Sequence, residues 1–274
     1  MGVGEAPEEH HGEALGETWG ADDVVEVFDT DGYSDRGEHA ALRAVARWRR
    51  GRVLDIAVGG GRTTGLLEPH ASSYVGIDIA EGMVDLARDR FPDVDLRVGD
   101  ARDLVGLDDG SFDLVVLSFN GIDSLDHADR RRALAAMRRT VAADGRVVFS
   151  TFNIDGVSFD ERPWMLRGFR SGRAWVHLAL ALRHPVGWAR GIGNYRRARL
   201  ESEDGDDWAR RPMRALDFQF IAHFATLGGT VRMLREAGLE PVAAFADSGE
   251  PVDLAEEHTD ADYVHLVCGR SDRP

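Results

Sequence analysis

The sequence predicts an α/β fold, a mostly parallel sheet with helices on both faces. Three observations carry this. An apolar run from Val53 to Ala57 ends in Gly59-Gly60-Gly61 and leads into a helix-compatible stretch, Thr63 to Leu67. That is the pattern of a buried parallel strand turning sharply into a helix. A second apolar run, Tyr74 to Ile77, stops on an acid, Asp78, and another helical stretch follows. Strand and helix patterns then alternate as far as Phe152, as they do in open α/β sheets.

Taken in order, residues 1–17 are rich in Gly, Glu and His with little to bury, and read as a disordered tail. A metal site at His10-His11 is the weaker reading of that pair. Residues 18–152 form N-terminal helices and the first part of the sheet domain. Glu38 to Trp48 has helical spacing, with Leu42, Val45, Ala46 and Trp48 as its buried positions. Strand 1 spans Arg52 to Ala57, and strand 2 ends at Asp78. The helix Ala80 to Arg90 follows, with Met83, Leu86 and Ala87 on its apolar stripe. Strand 3, Asp95 to Val98, ends in Gly99-Asp100-Ala101. Asp109-Gly110 turns into strand 4, Phe112 to Phe119. Asp126 caps a helix from His127 to Val141. Asp144-Gly145 turns into strand 5, Arg146 to Phe152. Late in the chain come a helix, Thr230 to Ala237, closed by Gly238, and strands Glu240 to Ala246 and Tyr263 to Cys268.

Composition narrows the chemistry. The 274 residues carry a formal charge of −15, which argues against a nucleic-acid partner. One cysteine, Cys268, excludes an internal disulfide and a thiolate metal cluster, and reads as a core residue. The chain has no lysine, so it forms no Schiff base. Residues 1–17 contain no apolar signal segment, and Ala174 to Leu182 is far shorter than the roughly 20 residues of a membrane span. The expectation is a soluble cytoplasmic protein without a metal.

Residues 153–215 exceed what the sheet requires. They are dense in Arg and Trp and read as a helical cap, a lid that orders when ligands bind. A homodimer interface and an RNA surface are the other readings. Residues 216–274 return to the sheet domain.

The glycine loop poses a choice. Gly-x-Gly-x-x-Gly fails at Thr64, where a third glycine would stand. The order Asp55, three residues, Gly59-x-Gly61 resembles motif I of the class I S-adenosylmethionine-dependent methyltransferase family. Tyr74 to Asp78, Gly99-Asp100-Ala101 and Phe112 to Phe119 follow in that family's order. The resemblance covers about residues 45–152, and 226–269 more loosely. It implies a Rossmann-like sheet of six parallel strands and one antiparallel, the last strand lying between strands 5 and 6. It also implies S-adenosylmethionine as cofactor and a methyl acceptor as partner.

By the same resemblance, Ala57, Gly59 and Gly61 line the cofactor, and Asp55 stands near its amino group. Asp78 takes both ribose hydroxyls, while Ile79 and Met83 flank the adenine. Asp100 accepts from the adenine amino group, and the Ala101 N–H reaches a ring nitrogen. The alternative for Asp100 is a helix cap. Tyr33 and Arg36, in the segment before strand 1, are cofactor contacts or, for Tyr33, a core residue. Arg62 faces solvent or meets the methionine carboxylate. Ser118 and Phe119 open the loop after strand 4, beside strand 1, where donor and acceptor meet.

For catalysis the sequence offers His223. In Leu216 to Phe224, Phe218, Phe220, Ala222 and Phe224 alternate with Asp217, Gln219, Ile221 and His223. The polar side is expected to face the acceptor, with His223 as base; a buried structural histidine is the competing reading. Asp123 is the rival base, and His127 and His177 are weaker candidates. The function read here is methyl transfer to an oxygen or nitrogen of a small molecule in natural product metabolism. The rivals are a nicotinamide-dependent oxidoreductase and a non-catalytic cofactor-binding regulator.

Overall fold

A computed structural model describes residues 16, 17, 19, 34–163 and 185–271. In chain order it has α1 (Arg36–Ala44), β1 (Arg52–Ile56), α2 (Thr64–Leu67), β2 (Ser73–Asp78), α3 (Glu81–Arg90), β3 (Leu96–Val98), β4 (Phe112–Leu117), α4 (His127–Thr140) and β5 (Val141–Phe152). Then follow α5 (Pro185–Leu200), β6 (Glu203–Asp204), β7 (Trp208–Met213), β8 (Phe220–Ala225), α6 (Leu227–Glu236), β9 (Leu239–Ala246) and β10 (Tyr263–Arg270). One sheet runs β3-β2-β1-β4-β5-β10-β9. β10 is antiparallel to β5 and β9, and the other pairings are parallel. The seven-stranded sheet expected from the sequence is therefore present, with the last strand between its two predecessors.

Alternation along the central strands explains the two helical layers. Leu54, Ile56, Val115, Leu117, Val147 and Phe149 face one core with Leu134 and Met137 of α4 and Leu234 of α6. Val53, Leu114, Val116 and Val148 face the other, with Leu42 of α1, Leu67 of α2 and Val84 of α3. Strands buried on both faces leave only their ends for polar chemistry. Cys268 is fully buried in β10. No helix among the described residues is long and apolar enough to cross a membrane.

Boundaries move in three places. The first helix stops at Ala44, and a 3₁₀ turn, Trp48–Arg50, leads into β1. Ala46, expected to be buried, is exposed, and Trp48 is only partly buried at the edge of the second core, where its Nε1 donates to the Asp144 carbonyl at 2.8 Å and its ring meets the Arg47 and Arg146 guanidiniums. β5 begins directly after α4, at Val141. The segment expected to be a helical cap holds strands as well: β6, β7 and β8 form a second, antiparallel sheet. β8 lies beyond residue 215, and its last residue, Ala225, bridges to Asn153 just past β5. Tyr33, His177 and residues 164–184, with the tryptophans and arginines there, lie outside the described residues.

α1 is docked closely on β9 and β10. Gly37 donates to the Asp247 carbonyl at 3.3 Å, and a Cβ on Gly37 would stand 2.3 Å from the Ala246 carbonyl oxygen. Asp35 caps α1, accepting from the Glu38 N–H at 2.7 Å, and also accepts from the Tyr263 hydroxyl at 2.9 Å. His265 Nε2 stands 3.0 Å from the same carboxylate. Gly37→Ala should therefore cost about 1–3 kcal/mol of stability. A urea unfolding midpoint equal to that of the unchanged protein would show that α1 does not sit this close.

Candidate active site

The loops after β1 and β4 meet at the point where the strand order reverses, the place at which open α/β sheets bind ligands. Ala57 leaves β1 with φ of 56°, and Gly59 and Gly61 also have positive φ. A left-handed alanine costs roughly 1–2 kcal/mol. Phe119 and Asn120 leave β4 in the same conformation. A Cβ on Gly121 would lie 3.2 Å from that of Ala57, so the two loops touch. A Cβ on Gly59 would meet nothing within 4 Å, whereas Gly60 and Gly61 are closed off by Leu86 and Phe91. The open space above Gly59 is where a ligand can come against the backbone.

Three acids stand at successive strand ends. Asp55 is fully buried beneath the loop, and its Oδ2 accepts from Thr63 Oγ1 at 2.6 Å and Tyr74 Oη at 2.7 Å. Burial outweighs these bonds and raises its pKa to about 6. Its Oδ1 has no hydrogen-bond partner among the described residues, which suits an ammonium or a bridging water. Asp78 Oδ2 accepts from the Gly59 N–H at 2.9 Å and Oδ1 from the Ala80 N–H at 3.0 Å. Burial raises its pKa. With the backbone N–H groups of Ala80, Gly59 and Ile79 all directed at it, the carboxylate keeps acceptor capacity for a hydroxyl donor. Ile79 is half-buried and Met83 buried beside it. Asp100 lies beyond β3, and its carboxylate pairs with Arg102, which also reaches Asp129 in the first turn of α4. Ala101 packs partly buried against the core. The donor and acceptor groups present thus fit a nucleoside bearing an ammonium-carrying tail.

Glu38, which carried no role in the sequence, is central here. It sits one turn into α1, buried, and takes both Arg62 terminal nitrogens, at 2.7 and 2.8 Å. Ser118 and Ser34 hydroxyls donate to the same carboxylate. Burial would raise its pKa, but Arg62 and the two hydroxyls more than offset this and hold it below the ordinary value. Arg62 therefore does not face solvent. Its guanidinium lies 5.0 Å from the ring of Phe119, which is 45% exposed. The only sequence signal for Glu38 was an acid in the first turn of a helix, which helix dipoles explain equally well. Arg36 is exposed.

The two base candidates sit differently from expectation. Asp123 is wholly buried in a 3₁₀ turn folded back on β5, paired with the equally buried Arg130. Thr151 Oγ1 and the Phe152 N–H also donate to it, at 2.8 and 2.7 Å. Burial lifts its pKa to about 6 against the charge of Arg130. With both oxygens engaged and no exposed edge, Asp123 holds a loop rather than meeting an acceptor. His223 keeps its predicted parity with Ile221, but its side is covered too. Its ring stacks with Trp208, and its Nε2 lies 3.1 Å from Nδ1 of His127 at the start of α4. The phenylalanine side packs on Phe152, Ile154 and Phe159. Burial, Arg130 and His127 drive the His223 pKa far down. His127 is partly exposed and remains lowered, by burial and then Arg131 and Arg130. Among the described residues no cluster of three His, Cys, Asp or Glu could hold a metal ion.

Asp123→Asn should leave Arg130 buried without a counter-charge and cost about 3–5 kcal/mol of stability. A variant that unfolds at the same urea concentration as the parent, yet turns over slowly, would restore Asp123 as a base. Asp78→Ala should weaken binding of S-adenosylhomocysteine at least about tenfold, since bonds to a carboxylate contribute roughly 1.5–3 kcal/mol each. Calorimetry with an unchanged dissociation constant would remove Asp78 from the site.

Residues 53–145 match a family model described as a methyltransferase domain. A demethylmenaquinone methyltransferase of Renibacterium salmoninarum is 32% identical over 148 residues, 48% of this chain and 60% of that protein. A ubiquinone/menaquinone biosynthesis C-methyltransferase, UbiE, of Citrifermentans bemidjiense is 36% identical over 129 residues, 39% of this chain and 52% of that one. The chain thus spans between half and two thirds of these relatives' lengths. The CcbJ methyltransferase of Streptomyces caelestis shares the fold with a TM-score of 0.56 at 17% identity, over 93% of this chain and 97% of its own. A TehB-like methyltransferase of Corynebacterium glutamicum gives 0.50 at 21% identity, over 96% and 100%. The family match falls on β1 to β4, the strands whose ends build the site, and the chain shares the fold of solved S-adenosylmethionine-dependent methyltransferases.

Proposed function

We propose that this protein methylates an oxygen or nitrogen of a small molecule in a cytoplasmic reaction of specialised metabolism. The observation that supports methyl transfer best is the open backbone at Gly59 flanked by Asp78, beside the loop after β4. When bound, S-adenosylmethionine supplies a methyl group already activated on a sulfonium. The protein's share is then positioning and exclusion of water. Asp78 and Asp100 hold the nucleoside end. α1, latched through Glu38 and Arg62, shields the glycine loop. Phe152, Phe220 and Phe224 form a buried aromatic core under the end of β5 and brace β8 against the sheet. Where the acceptor must lose a proton, His127 is the better base. It reaches solvent, is neutral at pH 7 because its pKa is lowered from 6.5, and has His223 behind its Nδ1.

A second reading is methylation of a quinone carbon. It is favoured by the 32–36% identity to proteins named demethylmenaquinone or ubiquinone/menaquinone methyltransferases. Those matches cover less than half of this chain, so we rank it second.

Methyl-labelled cofactor incubated with phenols, amines and a demethylmenaquinone analogue decides between them. A label on oxygen or nitrogen is expected. A label on a ring carbon would replace our reading with the second, and cofactor binding without turnover on any acceptor would point to a regulator. With the true acceptor, kcat should be level above pH 6.5 and fall on acidification only below it, as a lowered imidazole pKa requires. His127→Ala should lower kcat at least about tenfold with cofactor affinity unchanged. A normal kcat in that variant would discard the base assignment.

A further inference from the structure

We infer that Arg102 is a positioning residue that sets the Asp100 carboxylate, from α4 through Asp129, to accept one hydrogen bond from the exocyclic amino group of the cofactor's adenine. This rests on the cofactor reading above and adds to it how the adenine end is held in register.

The geometry carries the inference in three steps. Arg102 surrounds one side of Asp100: its backbone N–H donates to Oδ1 at 2.8 Å, its Nη2 to Oδ2 at 2.6 Å, and its Nε lies 3.0 and 2.9 Å from the two oxygens. A carboxylate offers about four lone-pair sites. Three donor hydrogens of one residue serve these sites, the Nε–H shared between the two oxygens, so all of Arg102 lies on one side and acceptor capacity remains on the other. A planar fork on a planar carboxylate also fixes its rotation, which a lysine cannot do.

The second step is the remaining direction. The Asp100 side chain is 23% exposed, while that of Arg102 is 6% exposed. The unused acceptor site therefore belongs to the solvent-facing side of the carboxylate, at the end of β3 and next to the strand that ends in Asp78. The amino group of adenine offers a single N–H in such a direction, and one acceptor matches it.

The third step is the anchor. Arg102 Nη1 donates to Asp129 Oδ2 at 2.8 Å. Asp129 is itself oriented, because its N–H donates to the α4 cap Asp126 at 2.8 Å and its other oxygen takes Arg132 at 3.2 Å. The position of Asp100 is thus referred to the start of α4 and not only to its own exposed loop.

The test compares S-adenosylhomocysteine with S-inosylhomocysteine, which carries a carbonyl oxygen in place of the amino group. By calorimetry the unchanged protein should bind the adenosine form at least about tenfold more tightly, since the carboxylate accepts from one and repels the other. Arg102→Lys should shrink that ratio several-fold, mainly through weaker binding of the adenosine form. Asp129→Asn keeps the shape of its site and should shrink it in the same direction, so it carries the test if Arg102→Lys fails to fold. A structural role alone would weaken both ligands equally. An unchanged ratio in a folded Arg102→Lys or Asp129→Asn protein would overturn the inference while leaving the cofactor reading intact. Failure of the unchanged protein to bind S-adenosylhomocysteine would overturn both.

Discussion

A carboxylate buried under the glycine loop ties the ligand end of the sheet together. Asp55 accepts from Thr63 at the start of α2 and from Tyr74 on β2, so one side chain fixes β1, its loop and the neighbouring strand. The arrangement is costly, since burial lifts the acid towards neutrality against both bonds. It is tolerated because the loop above must hold Ala57, Gly59 and Gly61 in conformations that the chain would otherwise leave. Without that tie the open backbone at Gly59 would have no fixed place relative to Asp78.

The same logic recurs across the switch point. Every side-chain cation but histidine is arginine, and the site uses its planar head repeatedly: forked on Glu38 by Arg62 and on Asp100 by Arg102, and divided between Asp123 and Thr151 by Arg130. These arginines join elements far apart in sequence, set an acid at a strand end, or hold the turn after β4. Forked pairs fix orientation as well as distance, so the loops are braced by charge where packing cannot reach.

Much of the frame was legible in the sequence because strand burial is local. Apolar runs marked β1, β4 and β10, and acids stopped β2 and marked the turn after β3. What escaped depends on partners distant in the chain. Glu38 looks like an ordinary first-turn acid until Arg62 and Ser118 arrive from two other loops. The alternation read over Leu216 to Phe224 holds from Phe220 on, while Asp217 and Phe218 lie in a 3₁₀ turn before the strand, and period two says nothing of what covers each side. Trp208 and His127, from the cap and from α4, close the side that seemed open. Strands β6 and β7 were missed for a like reason, since β6 is two acids that pair only with β7, and β7 is ordered between β6 and β8.

Cys268 offers a practical opening. It is the chain's one thiol, sealed in β10 between β5 and β9, where burial keeps it protonated. A thiol in that state is inert to maleimides while the fold is intact. The natural protein is therefore a silent background for site-selective labelling. A single cysteine introduced on an exposed position of α5 or β6 would carry the only dye, and its emission would report how the cap responds to ligands.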